Sequence, residues 1–342
     1  MSLEAGGARS LVKRVVRGGL LALVSVGLIY FLVSRAGLTW SALAHSIAGF
    51  AGWALLCVLI LTGANLGLAT LKWLLVIRAL APDTKSHPSF VDAMLTTAFG
   101  ALLGQMMPFQ LGVALARSLA GKIGIGHSAR VNLGTTIYEQ LFDAIVLLAA
   151  AALSAIALVL RPALVGWIVL VLCSALLVAL FASILLPSIL AAIALGLAGM
   201  PRNRVWKSTL GLLSALEKMA ELSPSVLALL TIMSVLRYAA IVVWVVIVLG
   251  ALQMWTYAIR AVIGMPLITV IGLIPVTPGN LGVTEWTWSA ILVSAGATMS
   301  SAGLFALTVR IVNVVALLVL IVFLFGVHAL QRVPMIWRWR EE

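Results

Sequence analysis

The sequence predicts an all-α polytopic membrane protein with about six transmembrane helices and two re-entrant pairs of broken helices, arranged as an inverted-topology repeat. The first observation is composition: of 342 residues, 63% are hydrophobic and only 9% are charged. Soluble chains carry roughly a quarter charged residues, so this chain lacks the polar surface that a water-facing body needs. This composition excludes a soluble fold, and with it a disordered chain, a disulfide scaffold and a nucleic-acid-binding domain, since the net charge of +12 is spread thinly between apolar runs.

Six charge-poor runs are the second observation, because a transmembrane helix needs about 20 mainly apolar residues and a central charge costs several kcal/mol. They are residues 15–33, 47–71, 135–160, 163–187, 225–250 and 302–330. Four basic residues, the last of them Arg17, precede the apolar part of the first run, Gly18–Val33, as in a signal peptide. No small-residue cleavage site follows it and more spans come after, so we interpret it as a retained helix. Residues 201–223 interleave Trp and Leu with charges and predict a cytoplasmic amphipathic helix.

Two further apolar segments are interrupted near their middles by proline and glycine, which is the third observation. One runs from Phe90 to Leu119 with a break at 107–112, and the other from Tyr257 to Ala297 with a break at 275–282. Proline lacks the backbone donor, and non-helical backbone at membrane depth is tolerated only where protein or water satisfies it. Each segment is therefore expected to be a re-entrant helix pair.

The two breaks share the pattern Pro-x-x-Leu-Gly-Val, beginning at Pro108 and at Pro278. Each broken segment also stands between two predicted spans. Residues 47–160 and 225–330 therefore predict the halves of an inverted repeat within one membrane domain, the architecture in which transporters form a midplane site from paired broken helices. A chance match in a chain rich in Leu, Gly and Val is the alternative.

The positive charges predict the orientation. With these spans, 17 of the 22 Lys and Arg residues fall on the side of the N-terminus, among them Lys72 and Arg117. By the positive-inside rule both termini are cytoplasmic, and the two broken segments enter from opposite faces.

The second break carries a family resemblance. Residues 274–285 read I-P-V-T-P-G-N-L-G-V-T-E and resemble the P-x-T-P-G-G-L-G-x-x-E signature of the lysylphosphatidylglycerol synthase transmembrane region, also known as the flippase-like domain. Residues 108–143 resemble the first segment of that family, a P-G-x-x-G-E-x-x-R run followed by a helix carrying E-x-x-x-D. The resemblance covers residues 47–330.

The first segment departs from the family pattern at three positions. Phe109 replaces the usual Gly, Val113 occupies the usual Glu position, and Arg117 lies one residue beyond the usual Arg. The chain ends at Glu342, so we expect a stand-alone member without the soluble aminoacyl-transferase domain.

The resemblance implies a protein of the bacterial inner (plasma) membrane that moves a lipid between leaflets. Its partner would be an anionic or aminoacylated phospholipid or a polyprenyl-linked lipid. No cofactor or metal is expected, because the four histidines lack metal-ligand spacing and no nucleotide-binding motif is present. The patterns Gly63-x-x-x-Gly67 and Gly100-x-x-x-Gly104 permit close helix packing or a homodimer.

Ionisable side chains inside apolar spans are the default functional candidates, since each is costly to bury. Together with the glycines and proline of the second break, the translocation candidates are Arg117, Glu139, Asp143, Arg237, Pro278, Gly279, Gly282, Glu285, Arg310 and Asn313. No catalytic residue is predicted among them.

Each candidate has a structural alternative. Glu139 and Asp143 share a helix face and suit a proton site or an arginine partner, although a cytoplasmic helix start also explains them. Glu285 begins a half-helix, with Thr284 as a cap, where the helix dipole alone favours a carboxylate.

The arginine candidates need anions. Arg310, which shares a face with Asn313, and Arg237 must each meet a buried carboxylate such as Glu285 or a lipid phosphate. A structural salt bridge is the alternative to a substrate contact. Arg117 is placed at the mouth of its segment, to guide headgroups or as a plain interfacial arginine.

The function predicted from the sequence is a lipid translocator. One alternative is an intramembrane enzyme acting on a lipid-linked substrate, although H-E-x-x-H and G-x-S-x-G are both absent. The other is a membrane partner of an envelope glycosyltransferase or synthase, docked through residues 201–223.

Overall fold

The computed structural model describes residues 21–80, 87–107, 109–122, 128–160, 222–274 and 276–338, together with residue 185. In this part of the chain the regular structure is helical throughout. The helices are α1 (Leu21–Ala36), α2 (Trp40–Ala48), α3 (Gly52–Leu80), α4 (Phe90–Leu103), α5 (Phe109–Lys122), α6 (Ala129–Leu160), α7 (Pro224–Ala251), α8 (Ala258–Ile271), α9 (Val283–Ser294) and α10 (Met299–Arg338). Short 3-10 turns lie at Trp255–Tyr257 and Pro278–Asn280.

Four of the described helices, α3, α6, α7 and α10, are long and apolar enough to cross a membrane. They correspond to the spans predicted at 47–71, 135–160, 225–250 and 302–330, and α1 corresponds to the first. The span predicted at 163–187 and the helix predicted at 201–223 lie almost entirely outside the described residues. The chain is an all-α polytopic membrane protein, as its composition predicts.

The pair α1 and α2 is bent by 85°, and sequence analysis did not predict α2. Thr39 is the N-cap of this short helix: its side-chain oxygen accepts a hydrogen bond from the N–H of Ala42 at 3.2 Å. Helix α1 packs on the later part of the chain: Trp286 of α9 donates its indole N–H to the carbonyl of Leu28 at 3.0 Å and stacks on Phe31 with ring centroids 5.3 Å apart.

The segment predicted to break at 107–112 forms an antiparallel hairpin of α4 and α5. Ser89 caps α4 by accepting the N–H of Asp92 at 3.1 Å, and the helix ends at Gly104. A Cβ on Gly112 would lie 2.5 Å from the carbonyl oxygen of Gly100, so the two backbones touch. The pattern Gly100-x-x-x-Gly104 thus packs within this hairpin. Pro108 itself lies outside the described residues.

The second broken segment forms another hairpin, of α8 and α9, joined by a longer connection. Gly279 and Gly282 hold φ values of 58° and 84°, which L-residues with a Cβ rarely adopt. Glu285 accepts the N–H of Gly282 at 2.7 Å and so satisfies the start of α9. The expectation that Thr284 caps this helix is wrong, because the N-cap is Gly282, two residues earlier, and Thr284 already lies within the helix.

The two hairpins meet at their tips, where Gly279 packs against the backbone of Gln105. The order long, short, short, long occurs twice, as α3 to α6 and as α7 to α10. The hairpin of each half packs on a long helix of the other half: α4 packs on α10, and α8 packs on α6. This arrangement is consistent with the inverted repeat, whose orientation across the membrane stays a prediction.

Candidate functional site

A cavity of about 610 Å³ lies where the two hairpins meet, lined by residues of α3 to α10. Its walls are mainly apolar and include Leu66, Ala101, Trp244, Ile268 and Trp288. Its polar lining comprises Thr62, Asn65, Thr97, Gln105, Glu139, Gln140, Asp143, Ser234, Arg237, Tyr238, Thr269, Asn280, Thr284, Glu285, Arg310 and Asn313. An apolar cleft of this size with a few converging polar groups is the usual form of a small-molecule site.

One group of charges, which we name the first ion cluster, joins Lys72, Arg117, Glu139, Asp143 and Arg237. Lys72 Nζ lies 2.6 Å from Asp143 Oδ1 and 3.4 Å from Glu139 Oε2. Arg117 Nη1 donates to Glu139 Oε1 at 2.8 Å, and Arg237 Nη1 donates to Asp143 Oδ2. Four helices, α3, α5, α6 and α7, contribute to the cluster, so ion pairing holds the first hairpin to the long helices.

Arg117 is enclosed rather than placed at a mouth. Its side chain is 0% exposed, its Nη2 donates to Thr97 Oγ1 at 3.1 Å and to the carbonyl of Ala69 at 3.2 Å, and its guanidinium lies 4.5 Å from the ring centroid of Trp73. The amide of Asn132 donates to the Arg117 carbonyl at 2.9 Å. The placement of Arg117 at the mouth of its segment, to guide headgroups or as a plain interfacial arginine, is therefore wrong, because a buried carboxylate and the indole hold it inside.

Lys72 is also interior, although sequence analysis counted it with the cytoplasmic basic residues. Helix α3 continues to Leu80, and the Lys72 side chain is 0% exposed. The apolar run Trp73 to Ile77 after Lys72 was the available signal that the helix continues. Lys72 and Arg117 are therefore interior and do not count as cytoplasmic residues for the positive-inside rule.

The cavity side of the first ion cluster is formed by Asp143 and Arg237, whose side chains are 28% and 11% exposed. Arg237 Nε also donates to Asn65 Oδ1 at 2.9 Å. Glu139, in contrast, is 1% exposed. The Asp143–Arg237 pair is thus the part of this cluster most open to a ligand.

A second ion cluster, Glu285 and Arg310, lies at the tip of the second hairpin. Arg310 Nε donates to Glu285 Oε1, and Arg310 Nη2 donates to the carbonyl of Gly279 at 3.1 Å. Since Glu285 Oε2 accepts the N–H of Gly282, this pair fixes both strained glycines. Asn280, with φ 53°, is buried in the same turn, and its Oδ1 has no hydrogen-bond partner among the described residues.

The cavity brings most of the predicted site residues together. Those on its lining are Glu139, Asp143, Arg237, Gly279, Glu285, Arg310 and Asn313. Arg117 lies behind Glu139, while Pro278 and Gly282 shape the turn beside the cavity. Lys72 is the charged residue of this region that sequence analysis missed.

The two clusters together contain four cations and three carboxylates: Lys72, Arg117, Arg237 and Arg310 against Glu139, Asp143 and Glu285. With all of these groups ionised, the described part of the site has one excess positive charge. Among the described residues, no group of three or more His, Cys, Asp and Glu side chains is arranged to hold a metal ion.

Residues 19–321 match the family described as Lysylphosphatidylglycerol synthase TM region. The match covers most of the 342 residues, so the chain belongs to this family. Comparisons with curated proteins and with solved structures give no match.

Proposed function

We propose that this protein moves a phospholipid, an aminoacylated phospholipid or a polyprenyl-linked lipid between the leaflets of a bacterial plasma membrane, with both termini cytoplasmic. The observation that carries the proposal is the cavity itself, which is bounded by the tips of two hairpins and bears both ion clusters. The family gives a membrane-lipid context. The proposal assigns the cavity no catalytic residue, metal or cofactor.

The arrangement suits a headgroup that leaves water while its acyl chains stay in the bilayer. The charged side chains in the apolar cavity can form ion pairs and hydrogen bonds with the headgroup, which the hydrocarbon tails of the bilayer cannot do. Because the cavity borders both hairpin tips, a small movement of one tip against the other would change the side from which it opens. Such alternation between two states around one site is how transporters with paired broken helices operate.

Transport in vesicles tests the proposal. The full chain is reconstituted in phosphatidylcholine vesicles that contain fluorescent phosphatidylglycerol, and transfer between leaflets is followed by quenching with an impermeant reductant. Wild-type protein is expected to accelerate transfer above empty vesicles, and Glu285→Gln and Arg310→Ala are expected to slow it at least tenfold, since each leaves a charge of the second ion cluster unpaired.

Two further variants make the result specific. Asn313→Leu removes a polar group from the cavity lining without removing a charge, and it is expected to slow transfer. Arg78→Gln removes an exposed arginine outside the lining, and it is expected to behave as wild type. The assay is repeated with an aminoacylated phospholipid and with a polyprenyl phosphate. If vesicles with wild-type protein transfer none of the three lipids faster than empty vesicles, the proposed lipid transport is refuted.

A further inference from the structure

Building on the proposed function, we infer that Arg237 is the anion-binding side chain of the cavity and that the phosphodiester of a lipid headgroup takes the place of Asp143 on it. Arg237 extends from α7 into the cavity, and two of its nitrogens are in use: Nε on Asn65 and Nη1 on Asp143. In the described part of the chain, Nη2 has no hydrogen-bond acceptor, so this corner of the guanidinium is available to a ligand.

Asp143 can leave Arg237 at small electrostatic cost. Its Oδ1 lies 2.6 Å from Lys72 Nζ, so the carboxylate keeps a cation when Arg237 turns to a ligand. It is also the most exposed carboxylate of the two clusters, at 28%. Breaking a buried ion pair is expensive when it leaves an unpaired charge, and here none is left.

The other arginines do not allow this exchange. Arg117 is fully enclosed by Glu139, Thr97 and Trp73. Arg310 Nη1 also lacks an acceptor among the described residues, but a ligand that replaced Glu285 on Arg310 would leave that carboxylate, which is 1% exposed, with no second cation within 4 Å in the described part of the chain. Arg237 is therefore the arginine whose carboxylate partner a cavity ligand can replace without leaving a charge unpaired, and Lys72 is the positioning residue that retains Asp143.

The charge of the site selects the class of ligand. The excess of one positive charge is balanced by a single negative charge, as on a phosphodiester. A phosphomonoester carries about −1.5 to −2 at neutral pH and would leave the site negative. The planar fork of arginine matches two phosphate oxygens, which makes it suited to this ligand.

Equilibrium binding to the detergent-solubilised full chain tests the assignment. The probe is radiolabelled dioleoyl phosphatidylglycerol, and the competitors are unlabelled phosphatidylglycerol, dioleoylglycerol without phosphate, and water-soluble glycerophosphoglycerol. Phosphatidylglycerol is expected to compete, whereas dioleoylglycerol and glycerophosphoglycerol are expected to compete at least tenfold more weakly. Equal competition by dioleoylglycerol would refute phosphate recognition, and equal competition by glycerophosphoglycerol would refute a lipid ligand.

Three variants test the residues. Arg237→Gln is expected to weaken binding at least tenfold, because a charge-assisted hydrogen bond is lost, and Arg237→Lys is expected to restore part of it. Asp143→Asn is expected to tighten binding severalfold, because the side chain that competes with the ligand for Arg237 is then neutral. Lys72 still has a carboxylate partner in this variant, since its Nζ lies 3.4 Å from Glu139 Oε2. A merely structural Arg237–Asp143 pair would instead weaken binding in both variants. Arg78→Gln serves as the matched control.

The experiments distinguish failure of this inference from failure of the proposed function. Binding is measured without a bilayer, so protein that binds phosphatidylglycerol through Arg237 but moves no lipid would refute the proposed function alone. Folded Arg237→Gln protein, checked by gel filtration, that binds phosphatidylglycerol as tightly as wild type would refute this inference and leave translocation intact. If Arg237→Gln does not fold, unchanged or weaker binding by Asp143→Asn has the same consequence.

Discussion

The tip-to-tip contact of the hairpins is tested most directly at Gly279. A Cβ there would lie 2.5 Å from the carbonyl carbon of Gln105 and closer still to its oxygen, whereas real Cβ atoms rarely approach below 3.0 Å. Gly279→Ala must therefore push the two tips apart by at least about 0.5 Å, since the obstacle is backbone and cannot rotate away.

The expected loss of folding free energy in Gly279→Ala has two parts. Alanine at φ 58° costs about 1–2 kcal/mol for the left-handed conformation, and overpacking against Gln105 costs a further 1–3 kcal/mol or so. The first part is isolated by Gly37→Ala, because Gly37 has φ 60° and nothing within 4 Å of its Cβ position. Gly279→Ala should thus lose about 2–5 kcal/mol of folding free energy, against about 1–2 kcal/mol for Gly37→Ala.

Transport should separate the two variants further. The carbonyl of Gly279 accepts from Arg310 at 3.1 Å, so a displaced tip disturbs the second ion cluster at the cavity. Lipid transfer in vesicles is expected to fall at least tenfold in Gly279→Ala and to stay near wild type in Gly37→Ala. Equal thermal stability and equal transfer in the two variants would show that the hairpin tips do not touch.

Three further predictions concern stability in detergent. Gly112→Ala should destabilise the first hairpin by about 1–3 kcal/mol, because its Cβ meets backbone of α4, and thermal unfolding measures this; an unchanged midpoint contradicts the close approach. Lys72→Met should cost about 1.5–3 kcal/mol in chemical unfolding, since Asp143 loses a charged donor; a surface lysine would show no loss. Glu285→Gln should cost about 3–5 kcal/mol by leaving Arg310 unpaired, and adding Arg310→Met should recover part of it; additive losses would exclude the pair.

The helices α1, α3, α6, α7 and α10 and the interruption of both hairpin segments could be predicted from the sequence, because apolar length and the positions of proline and glycine are local properties. The short helix α2 was not predicted, and residues 109–112, placed in the first break, belong to α5. Glu285 with Arg310 was also foreseeable, since a cation within a span requires an anion. Lys72 was not predicted, because a lysine at the end of the charge-poor run 47–71 looks like the end of a span; its burial and its distance to Asp143 on α6 show that it is interior. The burial of Arg117 likewise depends on residues far along the chain, such as Glu139 and Trp73.

The packing of α1 has a consequence for how the protein is made. Trp286 and Leu28, which join α9 to the first described helix, are 258 positions apart in sequence. A ribosome therefore completes most of the polypeptide before this contact between α1 and α9 can form. Because contacts of such long range slow folding, the joining of α1 to α9 is expected among the late steps of folding.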